Sequence, residues 1–252
     1  MDVIVNADDF GMNTDVNDAI FELISRQRIT SSTIMVNAPA FKQAVSIIKR
    51  CPKCSFGIHL NITEFPPITN NPVLKEFLDE NGHFRRENLY SPIGVPLMHA
   101  IYCEWCAQIE KALLHGIKIS HIDSHDHIHT RKPQLFPCLK LIQRKYNISK
   151  VRIAKNIYSI SSPIRSKTLH YKKKVFNYAT RRIYPTKTTV GFTDFTSFLE
   201  TAKTTVIPFN SVEVMVHPGN PGQFYVDEIG LLLTSWKDEL LFNINLINYN
   251  KL

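Results

Sequence analysis

No stretch of the 252 residues approaches the roughly 18 consecutive apolar residues that suggest a membrane span. The opening Met1-Asp2-Val3-Ile4 lacks the basic then apolar start of a secretory signal. Both absences lead to the expectation of a soluble, cytoplasmic protein. Cysteine is scarce: there are five, an odd number, which without an export signal argues against a disulfide scaffold. Two pairs, Cys51/Cys54 and Cys103/Cys106, have zinc-like internal spacing, but 48 residues separate them where a compact zinc ribbon has about 15–20. Cys103 and Cys106 also fall within a helical pattern (Leu97, Ile101, Trp105, Ile109, Leu113), so they read first as small buried residues and only second as zinc ligands. No Gly/Ser linker, short repeat or low-complexity tract divides the chain, so residues 1–252 are expected to form a single domain. Acidic residues are missing from one stretch: Lys150 to Lys187 holds eleven Lys or Arg and no Asp or Glu. The net charge of +8 therefore belongs to that segment, and the remainder is close to neutral. Such a run is either a solvated basic face or the partner of an anion, for example a phosphate-bearing substrate or a lipid surface. It has no regular aromatic interleaving and no recognisable nucleic-acid module, so nucleic acid is not expected.

What is present is an ordinary globular composition, 44% hydrophobic and 21% charged. Strand-like runs at Asp2–Asn6, Thr33–Asn37, Ser55–Leu60, Ile117–Asp123, Lys150–Ala154, Thr188–Phe192 and Val212–Val216 alternate with one-faced helical patterns. Three of those patterns are Val16/Ile20/Leu23/Ile24, Phe41/Val45/Ile48 and Leu135/Cys138/Leu139/Ile142, the last starting at Pro133. The alternation predicts a parallel α/β fold, either a barrel or an open doubly wound sheet. Insertions around 65–96 and 159–185 are expected over one end of the sheet.

Polar, metal-competent residues collect where strands end, the edge at which parallel α/β folds build their sites. Val3 to Ala7 runs into Asp8-Asp9-Phe10-Gly11, Phe56-Gly57-Ile58 into His59 and Asn61, and Val212 to Val216 into His217-Pro218-Gly219. The densest stretch is His121-Ile122-Asp123-Ser124-His125-Asp126-His127-Ile128-His129. In an extended chain His121, Asp123, His125, His127 and His129 would share one face. A row of buried polar groups costs about 1–3 kcal/mol for each one left unpaired, so it points to a metal or catalytic site. Asp8 and Asp9, as adjacent strand residues, point to opposite faces unless the strand turns there, and Phe10-Gly11 followed by the helix cap Asn13-Thr14 supplies a turn. An ordinary turn with a capping Asp is the competing reading.

Taken together, Ile4-Val5-Asn6-Ala7-Asp8-Asp9-Phe10-Gly11, Gly57-Ile58-His59-Leu60-Asn61, the His121 to His129 run and Val216-His217-Pro218-Gly219 resemble the YdjC-like carbohydrate deacetylases, in the family's order over residues 4 to 219. The resemblance implies a TIM-like β/α barrel and one divalent cation, magnesium or zinc, held by Asp9, His59 and His125, with Asp8 as general base. It implies hydrolysis of an N-acetyl group from an acetamido sugar. Two imidazoles and a carboxylate with an open position independently suit a hydrolytic metal site, zinc rather than magnesium. From position, His217 is the candidate acid for the leaving amine, Asp123 the partner that orients an imidazole, and Arg152, His127 and Asn61 candidates for substrate contact or support. His121 and His129 are left without an assigned role. The basic run exceeds what a neutral sugar requires, so an anionic or lipid-linked acetamido sugar, or peripheral membrane contact through 150–187, would give it a purpose. Family habit adds a homodimer. The competing expectations are another metal-dependent hydrolase on the same barrel, such as a phosphoesterase, and a basic binding protein without catalysis.

Overall fold

Strand β1 (Asp2–Phe10) is buried along nearly its whole length, so its two faces must both be covered. Its alternation sorts the residues: Val3, Val5 and Ala7 join the main apolar cluster, whereas Ile4, Asn6 and Asp8 occupy the opposite face. The computed structural model describes residues 1–164, 166–219 and 227–252, which leaves Arg165 of the basic run outside the described residues. After β1 come α1 (Thr14–Ser25), β2 (Ser31–Ile34), α2 (Phe41–Ile48), β3 (Ser55–Leu60), α3 (Val95–Leu114) and β4 (Ile119–Ser124). The second half holds α4 (Ile128–Arg131), α5 (Phe136–Tyr146), α6 (Lys167–Arg182), β5 (Gly191–Asp194), α7 (Phe195–Thr204), β6 (Ser211–Val216), α8 (Glu228–Leu233) and β7 (Asn245–Leu246).

All strand pairs are parallel, in the order β4-β3-β2-β1-β6-β5, with β7 beside the start of β1. The sheet curls into a half-barrel, and residues 150–157 lie between its two outer strands. Ile122 N of β4 donates to Lys150 O and Arg152 N to Ile122 O, while Asn156 N donates to Phe192 O of β5. The strand predicted at Lys150–Ala154 is thus reduced to two isolated parallel bridges, Val151 to Ile122 and Lys150 to Lys187, with Arg152 turned inward to carboxylates. The other predicted strands are present with ends shifted by a few residues, and Ser55–Leu60 matches as predicted.

The period of two gives the half-barrel an apolar outside and a polar inside. Phe56, Ile58, Leu60, Ile122, Val212, Val214 and Val216 pack outward under the helices, in the same cluster as the fully buried Trp105 of α3 and Trp236. Each such side chain contributes about 1.5–3 kcal/mol by leaving water. The inward positions hold Asn6, Asp8, Thr33, His59, His121, Asp123, Arg152 and Glu213, all buried. The helices expected at 16–24 and 41–48 form as α1 and α2. The one expected from Pro133 begins with a short 3-10 turn, Pro133–Leu135, before α5. Residues 65–94 form loops and 3-10 turns, pinned where Glu104 of α3 accepts from Ile68 N and Thr69 N. Helix α6 falls within the stretch 159–185. Among the described residues no helix is long and apolar enough to cross a membrane. All five cysteines are free thiols, and neither Cys pair belongs to a group of three potential metal ligands among the described residues.

Candidate metal and catalytic site

The two carboxylates at the end of β1 reach one site through a backbone turn. Asp9 has φ +65°, a left-handed conformation, and the β1–β2 register shifts between Ala7 and Phe10. Gly11 follows at φ +99°, where a Cβ would lie 3.0 Å from Met35 O, so glycine is required to complete the turn. Asn13 then caps α1 by accepting from Val16 N at 2.8 Å, as its sequence position predicts.

Asp9 Oδ1 lies 3.2 Å from His59 Nε2 and 2.9 Å from His125 Nδ1. The three side chains form one convergent group, with ligand atoms all within 4.8 Å of one another. His59 arrives from the end of β3, and its Nδ1 meets Asp123 Oδ1 of β4 at 2.6 Å, which fixes the ring orientation and leaves Nε2 facing Asp9. Burial alone would lower the His59 pKa, but Asp123, Asp9 and Asp8 override it and raise it to about 9. The same opposition raises His125 above the ordinary range through Asp9 and Glu64, and holds Asp9 well below the carboxylate range despite burial. A cluster this anionic draws protons onto its imidazoles, and it would equally favour a cation. A second possible group, Asp8, His59 and Asp123, shares His59, but both of its carboxylates are already paired with the Arg152 guanidinium.

Arg152 is fully buried. It donates through Nη1 to Asp8 Oδ2 and Nη2 to Asp8 Oδ1, at 2.6 and 2.7 Å, reaches Asp123 Oδ2 at 2.8 Å, and donates through Nε to Glu213 Oε1 at 2.7 Å. It therefore touches three carboxylates of the protein itself. Burial raises Asp8, but Arg152 overrides this and holds the group far below the carboxylate range, so Asp8 is ionised. Glu213 is anchored in turn by the Tyr249 hydroxyl, and Asn6 Nδ2 donates to Asp8 Oδ1 at 2.8 Å. Thr33 Oγ1 donates to Asp123 Oδ2 at 2.9 Å. His217, just beyond β6, has Nε2 3.9 Å from Asp8 Oδ2, and its backbone N–H donates to Glu228 Oε2 at 2.6 Å. Burial keeps the His217 imidazole below its ordinary pKa, so it is neutral at pH 7.

The row of five inward residues expected from 121 to 129 does not exist as a strand face. β4 ends at Ser124, and a 3-10 turn at 125–127, with Asp126 and His127 left-handed (φ 52° and 54°), leads into α4. Only His121 and Asp123 share the inner face. His121 stacks on Tyr249 with ring centroids 3.5 Å apart, in space that Gly57 leaves open: a Cβ at Gly57 would meet the ring at 2.5 Å. His129 bonds Ser124 Oγ and Arg152 O, a structural tie between β4 and the 150–157 segment. His127 stands edge-on to Phe192 at 5.7 Å, its pKa held down by burial. Asn61 does not touch the convergent group. Its Oδ1 accepts from Thr63 N and Glu64 N, and its Nδ2 donates to Glu64 O, which places Glu64 Oε2 3.1 Å from His125 Nε2.

Sequence reasoning did not find Asn6, Thr33, Glu64, Glu213, Glu228 or Tyr249. Glu213 carried a usable signal, being a lone carboxylate within the apolar run Val212-Glu213-Val214-Met215-Val216 of a buried strand. The others carried none.

A crystal structure from Enterococcus faecalis V583, provisionally named a cellobiose-phosphate cleavage protein, superposes with a TM-score of 0.75 over 99% of this chain and 98% of that one. At 21% identity this shows a shared fold alone. A protein of Vibrio cholerae serotype O1 named carbohydrate deacetylase is 38% identical over 156 residues, 59% of this chain and 57% of that protein. One from Geobacillus stearothermophilus with the same name is 37% identical over 149 residues, 58% and 57% of the two chains. The chain thus spans just over half the length of the curated relatives it matches. The profile of the family described as YdjC-like protein matches residues 2–242, from the first strand to beyond α8 and so across every strand-end motif described above. On that match over nearly the whole chain, the protein belongs to the YdjC-like family.

Proposed function

We propose that the protein is a metal-dependent hydrolase that removes the N-acetyl group from an acetamido sugar. The observation that carries the reading is the placement of one carboxylate oxygen, Asp9 Oδ1, beside both His59 Nε2 and His125 Nδ1 at the C-terminal ends of parallel strands. The name carbohydrate deacetylase, borne by the V. cholerae and G. stearothermophilus relatives, supplies the substrate class. The half-barrel, with 150–157 between its outer strands, is taken as a variant of a TIM-like barrel.

A divalent cation fits this donor set, and Asp9, His59 and His125 would hold it. Two imidazoles and one carboxylate favour zinc or another transition ion over magnesium. When bound, the cation would supply Lewis-acid polarisation of the acetyl carbonyl and make a water molecule more acidic. Asp8, kept ionised and fixed by the Arg152 fork, takes the proton from the attacking water at a carboxylate oxygen. His217 Nε2 stands 3.9 Å from Asp8 Oδ2, beyond hydrogen-bond distance, so the two groups flank the same point at the strand ends without bonding each other. The proton taken up by Asp8 passes to His217, which as imidazolium is a stronger acid than usual and gives that proton to the departing amine. Asp123 holds the His59 ring, and Asn61 holds the loop that brings Glu64 to His125. His127 is left as a candidate substrate contact.

The test is acetate release by metal-loaded protein from chitobiose, from free and phosphorylated N-acetylglucosamine and from nucleotide- and lipid-linked forms, with a chelated control. Chelator-sensitive acetate release supports the reading. Phosphate released in place of acetate, or no acetate from any substrate with metal bound, overturns it.

A further inference from the structure

Arg152 apart, the basic segment does not converge on the strand-end site; its α6 part builds a groove of its own. On α6, His170, Lys173/Lys174, Asn177/Tyr178 and Arg181/Arg182 recur every three to four residues and so lie on one helical face. With Lys155, Asn156 and Phe209 they line a groove of about 350 Å³. Six of its lining residues, Lys155, His170, Lys173, Lys174, Arg181 and Arg182, are basic, and among the described residues none is Asp or Glu.

The helix is held against the neighbouring segment, so the face is preformed. Ala154 N donates to Asn177 Oδ1 at 2.8 Å, and Asn177 Nδ2 donates back to Ala154 O at 3.0 Å. Two of the cations are held by neutral acceptors. Lys173 Nζ donates to the Tyr158 hydroxyl at 3.0 Å, and Arg181 donates to Thr188 Oγ1 and Thr189 O. Lys155 is the exception, paired with Asp194 at 2.5 Å. Burial, then Lys155 and Arg131, lower the Lys173 pKa to about 8, and burial lowers that of Arg181. Partly buried cations that press on one another and lean on neutral acceptors are stabilised when an anion arrives.

We infer that this groove is a binding site for a phosphate-type anion, separate from the strand-end site, with which it shares no residue. The ligand class is a compact group carrying two or more negative charges, as a phosphomonoester or pyrophosphate does. A soluble phosphate and a phospholipid headgroup present the same chemistry, and the experiment separates them.

The probes are inorganic pyrophosphate, titrated calorimetrically, and phosphatidylcholine vesicles with and without phosphatidylglycerol, assayed by co-sedimentation. The expected result is saturable binding in one arm, weakened by added salt and reduced by roughly tenfold or more in a Lys173→Gln/Lys174→Gln double variant. Lys173→Arg should restore it, and the distant Lys49→Gln should not alter it. Equal thermal melts of wild type and double variant establish that the loss is one of charge and not of folding. Should the double variant melt early, the singly substituted Lys174→Gln, at an exposed position, is read in its place. Absence of saturable binding in both arms, or binding that the substitutions leave unchanged, overturns the inference.

Discussion

Arg152 grips both oxygens of Asp8 in a parallel fork, Nη1 to Oδ2 at 2.6 Å and Nη2 to Oδ1 at 2.7 Å, with both side chains buried. The same guanidinium also faces Asp123 and Glu213, so one cation is shared by three carboxylates on three different strands. The inside of the half-barrel is therefore held by charge, while its outside is held by apolar packing.

Replacing that cation strands the three carboxylates. Arg152→Met should lower unfolding free energy by about 3–5 kcal/mol, read from urea midpoints. Arg152→Lys should fall between, since a single ammonium cannot make the planar fork. An unchanged midpoint for Arg152→Met would show that the carboxylates are satisfied without it.

Metal retention tests the convergent group directly. Asp9→Ala and His59→Ala should each lose stoichiometric zinc, measured by elemental analysis after dialysis. Asp123→Asn keeps the ligands but loosens the His59 ring, and should cost roughly 10–100-fold in affinity. Full occupancy in both alanine variants would rule out the ligand assignment.

The proton-handling roles separate from metal binding. Asp8→Asn should keep the metal while slowing acetate release by roughly 10²–10⁴-fold, and His217→Ala should slow it with the site still loaded. Turnover near wild type in Asp8→Asn would remove it as the base.

Glu228, buried beneath His217, is raised by burial from an ordinary 4.5 to about 7. The folded state thus binds its proton more tightly than the unfolded chain does. Its stabilising effect is fully present below pH 4.5 and is lost as pH rises through about 7. Glu228→Gln keeps an acceptor for His217 N–H without the titration. Relative to wild type it should gain on the order of 1–3 kcal/mol between pH 5 and pH 8, measured by urea unfolding at both. A difference independent of pH would mean that Glu228 is already ionised at pH 5.

The parallel α/β order, the helices at 14–25 and 41–48 and the gathering of Asp8, Asp9, His59 and His217 at strand ends were legible in the sequence, because they rest on local periods of two and 3.6 and on turn residues. The stretch from 121 to 129 misled for the same reason. Its alternation reads as one strand, but the left-handed residues Asp126 and His127 break it after Ser124 and carry His129 to a structural tie, while His121, still on the inner face of β4, stacks on Tyr249. The basic run from 150 to 187 was visible as charge, but not as a groove, since its lining needs α6 laid against Lys155 and Phe209. Tertiary structure alone decided that Arg152 faces three carboxylates, that Tyr249 from the end of the chain supports Glu213, and that Glu64 reaches His125. These contacts join residues far apart in sequence. No local pattern records which buried charge meets which; that is fixed only when the curled sheet brings its inner faces together.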